Sequence, residues 1–375
     1  MIKDRIIIVF GDDWGRYPST LQHLMKELIK YNKLIWIGSL GLRKPKFSFA
    51  DIKRIYEKIK NVFAKKEVAK NDENITILHP LIIPLHNLSF VRLINNRNLI
   101  NKINTAINNY GNKKALLISS QPIIGDIVKG LNLTSSHYFC LDDYMQFEGA
   151  FAIINKLEKE LLEVVNTSFS VSDTLVKTRV PKNGESYFLP QGVNINHFVY
   201  NERAINNPPV IGFFGLLSEW VDLELIVKCA KAYPNYKFLI IGKYSVDISI
   251  LNGIPNLDFI GEIPYVKLPI IASQFDIGII PFIVNELTLA CNPLKLLEYF
   301  SMGIPVVSTN LPEVAKFGDT VYIANNHEEF IESLKKAVDN YSIEKNRIRR
   351  EVAERYSWTA IAENISNIIL KVENK

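Results

Sequence analysis

Residues 5–39, RIIIVFGDDWGRYPSTLQHLMKELIKYNKLIWIGS, hold the unit from which the rest of the chain can be read. RIIIVF (5–10) is a short apolar run rich in β-branched residues and reads as a strand. A turn-rich loop follows, then an amphipathic stretch from Leu21 to Tyr31, then a second apolar run in KLIWIGS (33–39). Strand, helix, strand in that order is a parallel crossover unit.

The same alternation continues outward. Apolar runs at ITILHPL (75–81), ALLISS (115–120), SHYFCL (136–141) and FSVS (169–172) are separated by helical stretches, so the first half reads as a doubly wound parallel sheet. A second series opens after PQGVNINHFVYNERAINNPP: PVIGFFG (209–215), YKFLIIG (236–242), LDFIGE (257–262), IGIIPF (277–282), PVVST (305–309) and TVYIA (320–324). Pro, Asn and Gly concentrate between Gln191 and Pro208, where hydrophobic periodicity lapses, and the boundary falls there. The expected organisation is an α/β chain of two Rossmann-like domains, 1–195 and 196–357, with a final helix, 358–375, packing back towards the first. Two open parallel sheets facing one cleft suit the joining of two substrates.

Length and composition agree with this. The 375 residues are 47% hydrophobic and 22% charged, globular composition with ample core for two domains. The longest apolar stretches, such as Ile277 to Val284, fall far short of the roughly 20 residues that cross a bilayer. The N-terminal run is broken by Asp12 and Asp13 before it reaches the about 7 to 15 apolar residues of a secretion signal, so a cytoplasmic protein is expected. Cys140, Cys229 and Cys291 are widely spaced and suggest neither disulfide nor zinc site. Residues 1–200 carry 27 Lys and Arg against 18 Asp and Glu, whereas residues 201–375 carry 17 against 21. A basic first half suggests an anionic surface, membrane or nucleic acid, but no interleaved aromatic motif supports nucleic acid. No GxxxxGK[ST], GxGxxG or GxSxG motif is present, which removes support for kinase, dehydrogenase and hydrolase readings.

The most informative segment is NPLKLLEYFSMGIPVVST (292–309). Pro293 suits the first turn of a helix that begins near Asn292 and points free amides beyond the sheet, where a phosphate fits. Lys295 opposes the helix dipole there unless it faces an anion. Glu298 lies about one turn further on the same face, where a carboxylate can accept both hydroxyls of a ribose diol. An ordinary amphipathic helix with two surface charges is the plainer alternative.

With its surroundings, the segment resembles the donor-binding helix of the GT-B fold nucleotide-sugar glycosyltransferases, family 4-like or related bacterial enzymes that build surface polysaccharides and teichuronic-acid-type polymers. Glu298, Gly303, Pro305, Val306 and Val307 keep that family's form at the end of the segment. NLDFIGEIPYVKLP (256–269) is similar to the stretch whose loop backbone, here Gly261, Glu262 and Ile263, reads the base in the family. VIGFFGLLSEWVDLELI (210–226) is similar to the strand, glycine loop and helix that open the family's second domain. Two departures stand out. Many retaining members carry a Glu eight residues before the ribose Glu, where this chain has Ala290, and the loop Arg and Lys are missing from GLLSEWVD. Lys295 is therefore the candidate for the donor phosphates. Asn285, Glu286 and Thr288 share the preceding loop and reach either the donor or only one another in a turn.

CLDDYMQF (140–147) puts adjacent carboxylates at a first-domain strand exit, where Asp142 or Asp143 can serve as catalytic base for an acceptor hydroxyl, or only cap a helix. A related inverting glucuronosyltransferase group also places an Asp base in its first domain. Asp13, Trp14 and Arg16, in the loop after the first strand, are candidates for acceptor binding, with Asp12 beside them. Residues 42–70 contain ten Lys and Arg with Ile52, Ile55, Tyr56, Ile59, Val62 and Phe63 at helical spacing. That is a basic amphipathic helix, for anionic lipid or for packing on the sheet.

The resemblance thus implies a metal-independent glycosyltransferase of hexosyltransferase type. It would move sugar from a nucleoside diphosphate donor, UDP-linked, to a lipid-linked or growing cell-surface polysaccharide. No cofactor besides the co-substrate, no metal and no nucleic acid is expected, and a peripheral position on the inner face of the plasma membrane goes with residues 42–70. A nucleotide-sugar 2-epimerase on the same fold and a non-catalytic nucleotide-sugar-binding subunit are the alternatives.

Overall fold

The computed structural model describes residues 1–15, 18–41, 74–80, 82, 83, 85–111, 114–147 and 153–374. Contacts cluster into two units, Met1–Leu189 with Ala362–Lys375, and Pro190–Ile361.

The first unit is one sheet of β1 (Ile6–Phe10), β2 (Lys33–Ile37), β3 (Ile75–Leu78), β4 (Ala115–Ser119), β5 (Ser135–Cys140), β6 (Thr167–Ser170) and β7 (Glu185–Phe188). Their order is β3-β2-β1-β4-β5-β6-β7, and every ladder is parallel. Every residue of β1, β4 and β5 is buried. This is why β1 and β4 read as nearly continuous apolar runs rather than alternating ones, while β5 buries Ser135, Ser136 and His137 among its apolar residues. The helix Thr20–Leu28 buries Leu21, Leu24, Met25 and Leu28, the spacing of one helical face. Asn32 fixes the return to β2 by donating to the carbonyls of Ile2 and Leu28 at 3.0 and 2.8 Å. The helix Trp358–Glu373 closes the chain, and its residues from Ala362 belong to this unit. Glu373 anchors its end, pairing with Arg5 at 2.8 Å and accepting from the hydroxyls of Thr134 and Ser135 at 2.6 and 2.9 Å. β7 has no counterpart among the apolar runs, because an edge strand with one exposed and three half-buried residues need not be apolar.

The second unit is a six-stranded sheet of β8 (Val210–Phe214), β9 (Lys237–Ile241), β10 (Leu257–Gly261), β11 (Ile277–Ile280), β12 (Val306–Thr309) and β13 (Val321–Ala324). The order is β10-β9-β8-β11-β12-β13, again wholly parallel. Its entry is pinned by Asp276, fully buried beside β11. That carboxylate pairs with Arg203 at 2.6 Å and accepts from the backbone amides of Asn206 and Val210 at 3.1 and 2.7 Å. Both units therefore have the doubly wound, Rossmann-like architecture that the alternating runs predict. In each, the strand order reverses beside the first strand, between β1 and β4 and between β8 and β11. Loops beyond the carboxyl ends of those strands are where such sheets bind ligands.

Candidate active site

In the second unit, three adjacent strands each end on a glycine with positive φ: Gly215 after β8 (145°), Gly242 after β9 (148°) and Gly261 closing β10 (83°). They are laced together, the Gly215 amide donating to Ile241 O and the Gly242 amide to Gly261 O, both at 2.9 Å. A Cβ on Gly242 would stand 1.7 Å from Gly215 O, so this row excludes side chains. The loop beyond Gly215 is tied on both sides. Leu217 N donates to Lys243 O at 2.8 Å, while Asp222 N donates to Pro281 O and Ile283 N to Trp220 O at 2.8 and 2.9 Å.

Lys295 lies beside the first glycine of this row. A Cβ on Gly215 would stand 3.4 Å from Lys295 Cε and 3.6 Å from Nζ, and the ammonium sits 5.3 and 4.5 Å from the ring centres of Phe213 and Phe282. Among the described residues it makes no hydrogen bond and no direct ion pair. Desolvation lowers its pKa, with Cys291 and Glu298 pulling the other way. A cation held against aromatic faces with no hydrogen-bond acceptor retains the capacity to pair with an anion. The helix that carries it, Leu294–Ser301, begins after Pro293 and has no side-chain cap, so its positive end is also open to an anion.

Glu298 is half-buried on the same helix, and desolvation, opposed by Lys295, pushes its carboxyl up to about 7. Tyr265 faces it electrostatically, its own phenol held up by burial and by Glu298, and it stacks on His197 with ring centres 4.3 Å apart. Asn292 is half-buried just before the helix. Ile263 packs against the unit's core, while Glu262 is exposed and pairs with Lys243 at 2.8 Å. Asn285 and Thr288 spend their side chains on each other. Each accepts from the other's amide at 3.0 Å, and the buried Thr288 hydroxyl donates to Ile283 O at 2.6 Å. That is a capping box on the turn Glu286–Leu289.

In the first unit, the loop after β1 is held from three sides. Trp36 donates to Asp12 O at 2.8 Å and packs edge-on against Trp14 at 4.7 Å. Gln22 accepts from Gly15 N at 2.9 Å, and Asp13 Oδ1 lies 3.4 Å from Ser39 N. Buried Gln121 joins the ends of β1, β2 and β4, donating to Gly11 O at 2.7 Å and accepting from Leu40 N at 3.0 Å.

The adjacent carboxylates after β5 have different surroundings. Asp143 caps the turn Tyr144–Gln146, accepting from Met145 N at 3.2 Å, and pairs with Arg179 at 2.8 Å. Arg179 also meets Glu158 at 3.4 Å, and Glu158 accepts from Tyr138 Oη at 2.6 Å. The Asp142 carboxyl makes no hydrogen bond among the described residues. Its pKa is pushed up to about 6 by desolvation first and by Asp12 and Asp143 after it. A carboxylate that is ionised near neutrality yet basic enough to take a proton is the kind a hydroxyl-activating base requires.

Sequence reading passed over Arg179, Phe213 and Phe282. Glu158 did leave a signal, a carboxylate in step with Ile154, Leu157 and Leu161 on the buried face of the helix Ile153–Leu162. Arg16 and residues 42–70 lie outside the described residues.

Residues 208–340 match the family Glycosyl transferases group 1. A candidate teichuronic acid biosynthesis glycosyltransferase, TuaH of Bacillus subtilis (strain 168), is 30% identical over 165 residues, which cover 42% of each chain. The match thus spans about two-fifths of that curated relative. Among solved structures, sucrose-phosphate synthase from Thermosynechococcus elongatus superposes with a TM-score of 0.71 over 99% of both chains at 12% identity. Anabaena HepE, solved with UDP and glucose, gives 0.66 over 96% of this chain and 98% of that one at 12% identity. The lipopolysaccharide outer core galactosyltransferase WaaB gives 0.65 over 98% and 99% at 13% identity. Identities this low speak for the fold, and the fold is GT-B.

Proposed function

We propose that this chain, a GT-B protein whose residues 208–340 form a glycosyl transferases group 1 domain, transfers a hexose from a UDP-sugar to a lipid-linked or growing cell-surface polysaccharide. The observation that carries the reading is Lys295, a desolvated cation with no acceptor among the described residues, beside Gly215 at the start of the Gly215–Gly242–Gly261 row. In this reading Lys295 and the open end of its helix take the diphosphate, Glu298 takes the ribose hydroxyls, and the backbone at Gly261 to Ile263 faces the base. The donor half-site thereby lies in the second unit and the acceptor half-site in the first, with Asp13 and Trp14 beside it.

The acceptor hydroxyl oxygen forms a bond to the anomeric carbon while the bond from that carbon to the diphosphate oxygen breaks. The diphosphate leaves with the bonding electron pair, and the hydroxyl proton goes to Asp142. Asp143 is occupied by Arg179 and its own turn, which favours Asp142 for the base. Lys295 takes the charge that a metal ion neutralises in other transferases, so the reaction is metal-independent. Support for UDP comes from HepE, whose structure holds UDP and glucose, and support for a cell-surface polymer from TuaH.

Thermal stabilisation by UDP, GDP, ADP and CMP tests the donor site directly. UDP alone is expected to raise the midpoint, and the shift is expected to vanish in Glu298→Ala. No shift with any nucleotide would sink the assignment. Release of UDP from UDP-sugar only when a glycan acceptor is present separates transfer from epimerisation.

A further inference from the structure

From Asn74 to Gly125 the chain carries five basic residues, Arg92, Arg97, Lys102, Lys113 and Lys114, and no carboxylate. Inside that stretch, Ile83, Leu85, Leu88, Phe90, Leu93 and Ile94 all stand exposed, Phe90 at 61% and Leu93 at 69%. The helix Ser89–Asn109 sends Val91, Asn95, Leu99, Ile103 and Ala106 inward. Phe90, Leu93, Ile94 and Arg97 follow at i, i+3, i+4 and i+7, so they share the outer face with a cation one turn beyond the apolar set.

This face is built rather than loose. Buried Asn95 clasps Ile83 through both backbone groups, accepting from its amide at 3.2 Å and donating to its carbonyl at 3.0 Å. Arg92 donates to His86 O at 2.6 Å, and buried His86 in turn lies 3.1 Å from the carbonyls of Leu40 and Gly41. The loop 85–88 is therefore fastened to the helix and to the end of β2 while its leucines point outward.

We propose that this platform docks the first unit on an anionic lipid bilayer, its apolar tip entering the acyl boundary and Arg97 and Lys102 meeting the headgroups. Arg97 lies about 5 Å along the axis from Ile94, and Lys102 about 12 Å, which suits cations flanking an inserted tip. The occupant follows from the combination. Large aliphatic and aromatic groups on a stretch that carries cations and no carboxylate match a phase that is apolar inside and negative at its edge. An acidic protein would engage the cations and leave the aliphatic tip in water. The platform is distinct from residues 42–70, whose basic composition favours the same surface. It rests on the glycosyltransferase reading only for its purpose, access to a lipid-linked acceptor.

Sedimentation of the full-length protein with vesicles of phosphatidylcholine, with and without phosphatidylglycerol, tests it. Binding is expected to the anionic vesicles, to weaken with salt, and to fall about tenfold or more in Phe90→Ser/Leu93→Ser. Arg97→Gln/Lys102→Gln is expected to lose several-fold on anionic vesicles alone. An unchanged thermal midpoint serves as folding control, whether or not UDP binds. If Phe90→Ser/Leu93→Ser fails to fold, a Leu93→Trp reporter decides. Its emission is expected to be water-like in the free protein and to shift blue, with quenching by brominated lipid, on adding vesicles. Failure of the wild type to sediment, or full binding by the folded double variant, would overturn the proposal. So would a reporter already buried without lipid. Sedimentation velocity would then tell a second copy from cover by the chain's own residues.

Discussion

The carboxyl ends of the two sheets share a strand order around β1 and β8 but are lined by opposite chemistry. Beyond β8, β9 and β10 the backbone narrows to glycines, and Lys295, with no ion pair among the described residues, stands beside Gly215. Beyond β1 and β5 the loops carry Asp12, Asp13, Asp142 and Asp143, knitted by Trp36, Gln121 and Arg179. Strand order alone makes both places ligand sites. Side chains decide which ligand: an amide-and-lysine cradle suits a diphosphate, and a cluster of carboxylates repels one while suiting hydroxyl groups. A two-substrate enzyme needs that contrast, since two anion cradles would bind two donors.

The sharpest break in the contrast is to remove the base proposed for the first unit. Asp142→Asn is expected to lower kcat about a thousandfold with UDP stabilisation unchanged, whereas Asp143→Asn should lower thermal stability too, by freeing Arg179. Equal losses in both, or none in Asp142→Asn, would erase the distinction. Next comes the glycine row. Gly242→Ala puts a methyl 1.7 Å from Gly215 O, which is backbone and cannot give way, and a loss of about 3 kcal/mol or more in urea unfolding is expected. In the first unit, Gly11→Ala meets the buried Trp36 ring at 2.6 Å, a longer approach than that at Gly242 and to side chain rather than backbone, and should cost less.

Lys295→Met tests the anion side, and UDP affinity by calorimetry is expected to fall about 10- to 100-fold while uridine affinity holds. A smaller effect is expected from pH. In the proposed site the Glu298 carboxyl, pushed up to about 7 by desolvation, can accept from both ribose hydroxyls with its two oxygens only when ionised, so uridine binding should weaken as pH falls through that value. The slope is expected to reach about tenfold per pH unit and to be flat in Glu298→Gln. Uridine has no phosphate to titrate in that range, so a persisting slope in the variant would place the titration elsewhere. Smallest of all is the effect of EDTA, which is expected to leave turnover unchanged; a loss restored by magnesium would shift the diphosphate's charge partner from Lys295 to a metal.

Much of this was legible in the chain. The twelve runs mark twelve of the thirteen strands, because parallel strands buried on both faces are mostly apolar, although β5 and β6 bury Ser, Thr and His as well. β7 escaped because Glu185 and its neighbours lie on an edge, where burial does not select composition. Lys295 and Glu298 were visible as charges at a helix start where charge needs a reason. Their surroundings were not: Phe213 and Phe282 are far from Lys295 in sequence, and only folding sets their rings around its ammonium. Asn285 and Thr288 had two open readings, and a pair of 3.0 Å bonds shows them engaged in a turn.

Sequence by itself thus determined the class of fold, through the period and position of its apolar runs, and drew attention to the helix Leu294–Ser301, through charges out of place. Tertiary structure decided the roles of neighbours that sequence treats alike. Asp142 and Asp143 are adjacent and identical in type, and what separates them is Arg179, 36 residues on, which neutralises one and leaves the other desolvated. Chain periodicity encodes burial, a local and repeated property. Protonation and free hydrogen-bonding capacity depend on which distant charges arrive within a few ångströms, and only the folded chain fixes that.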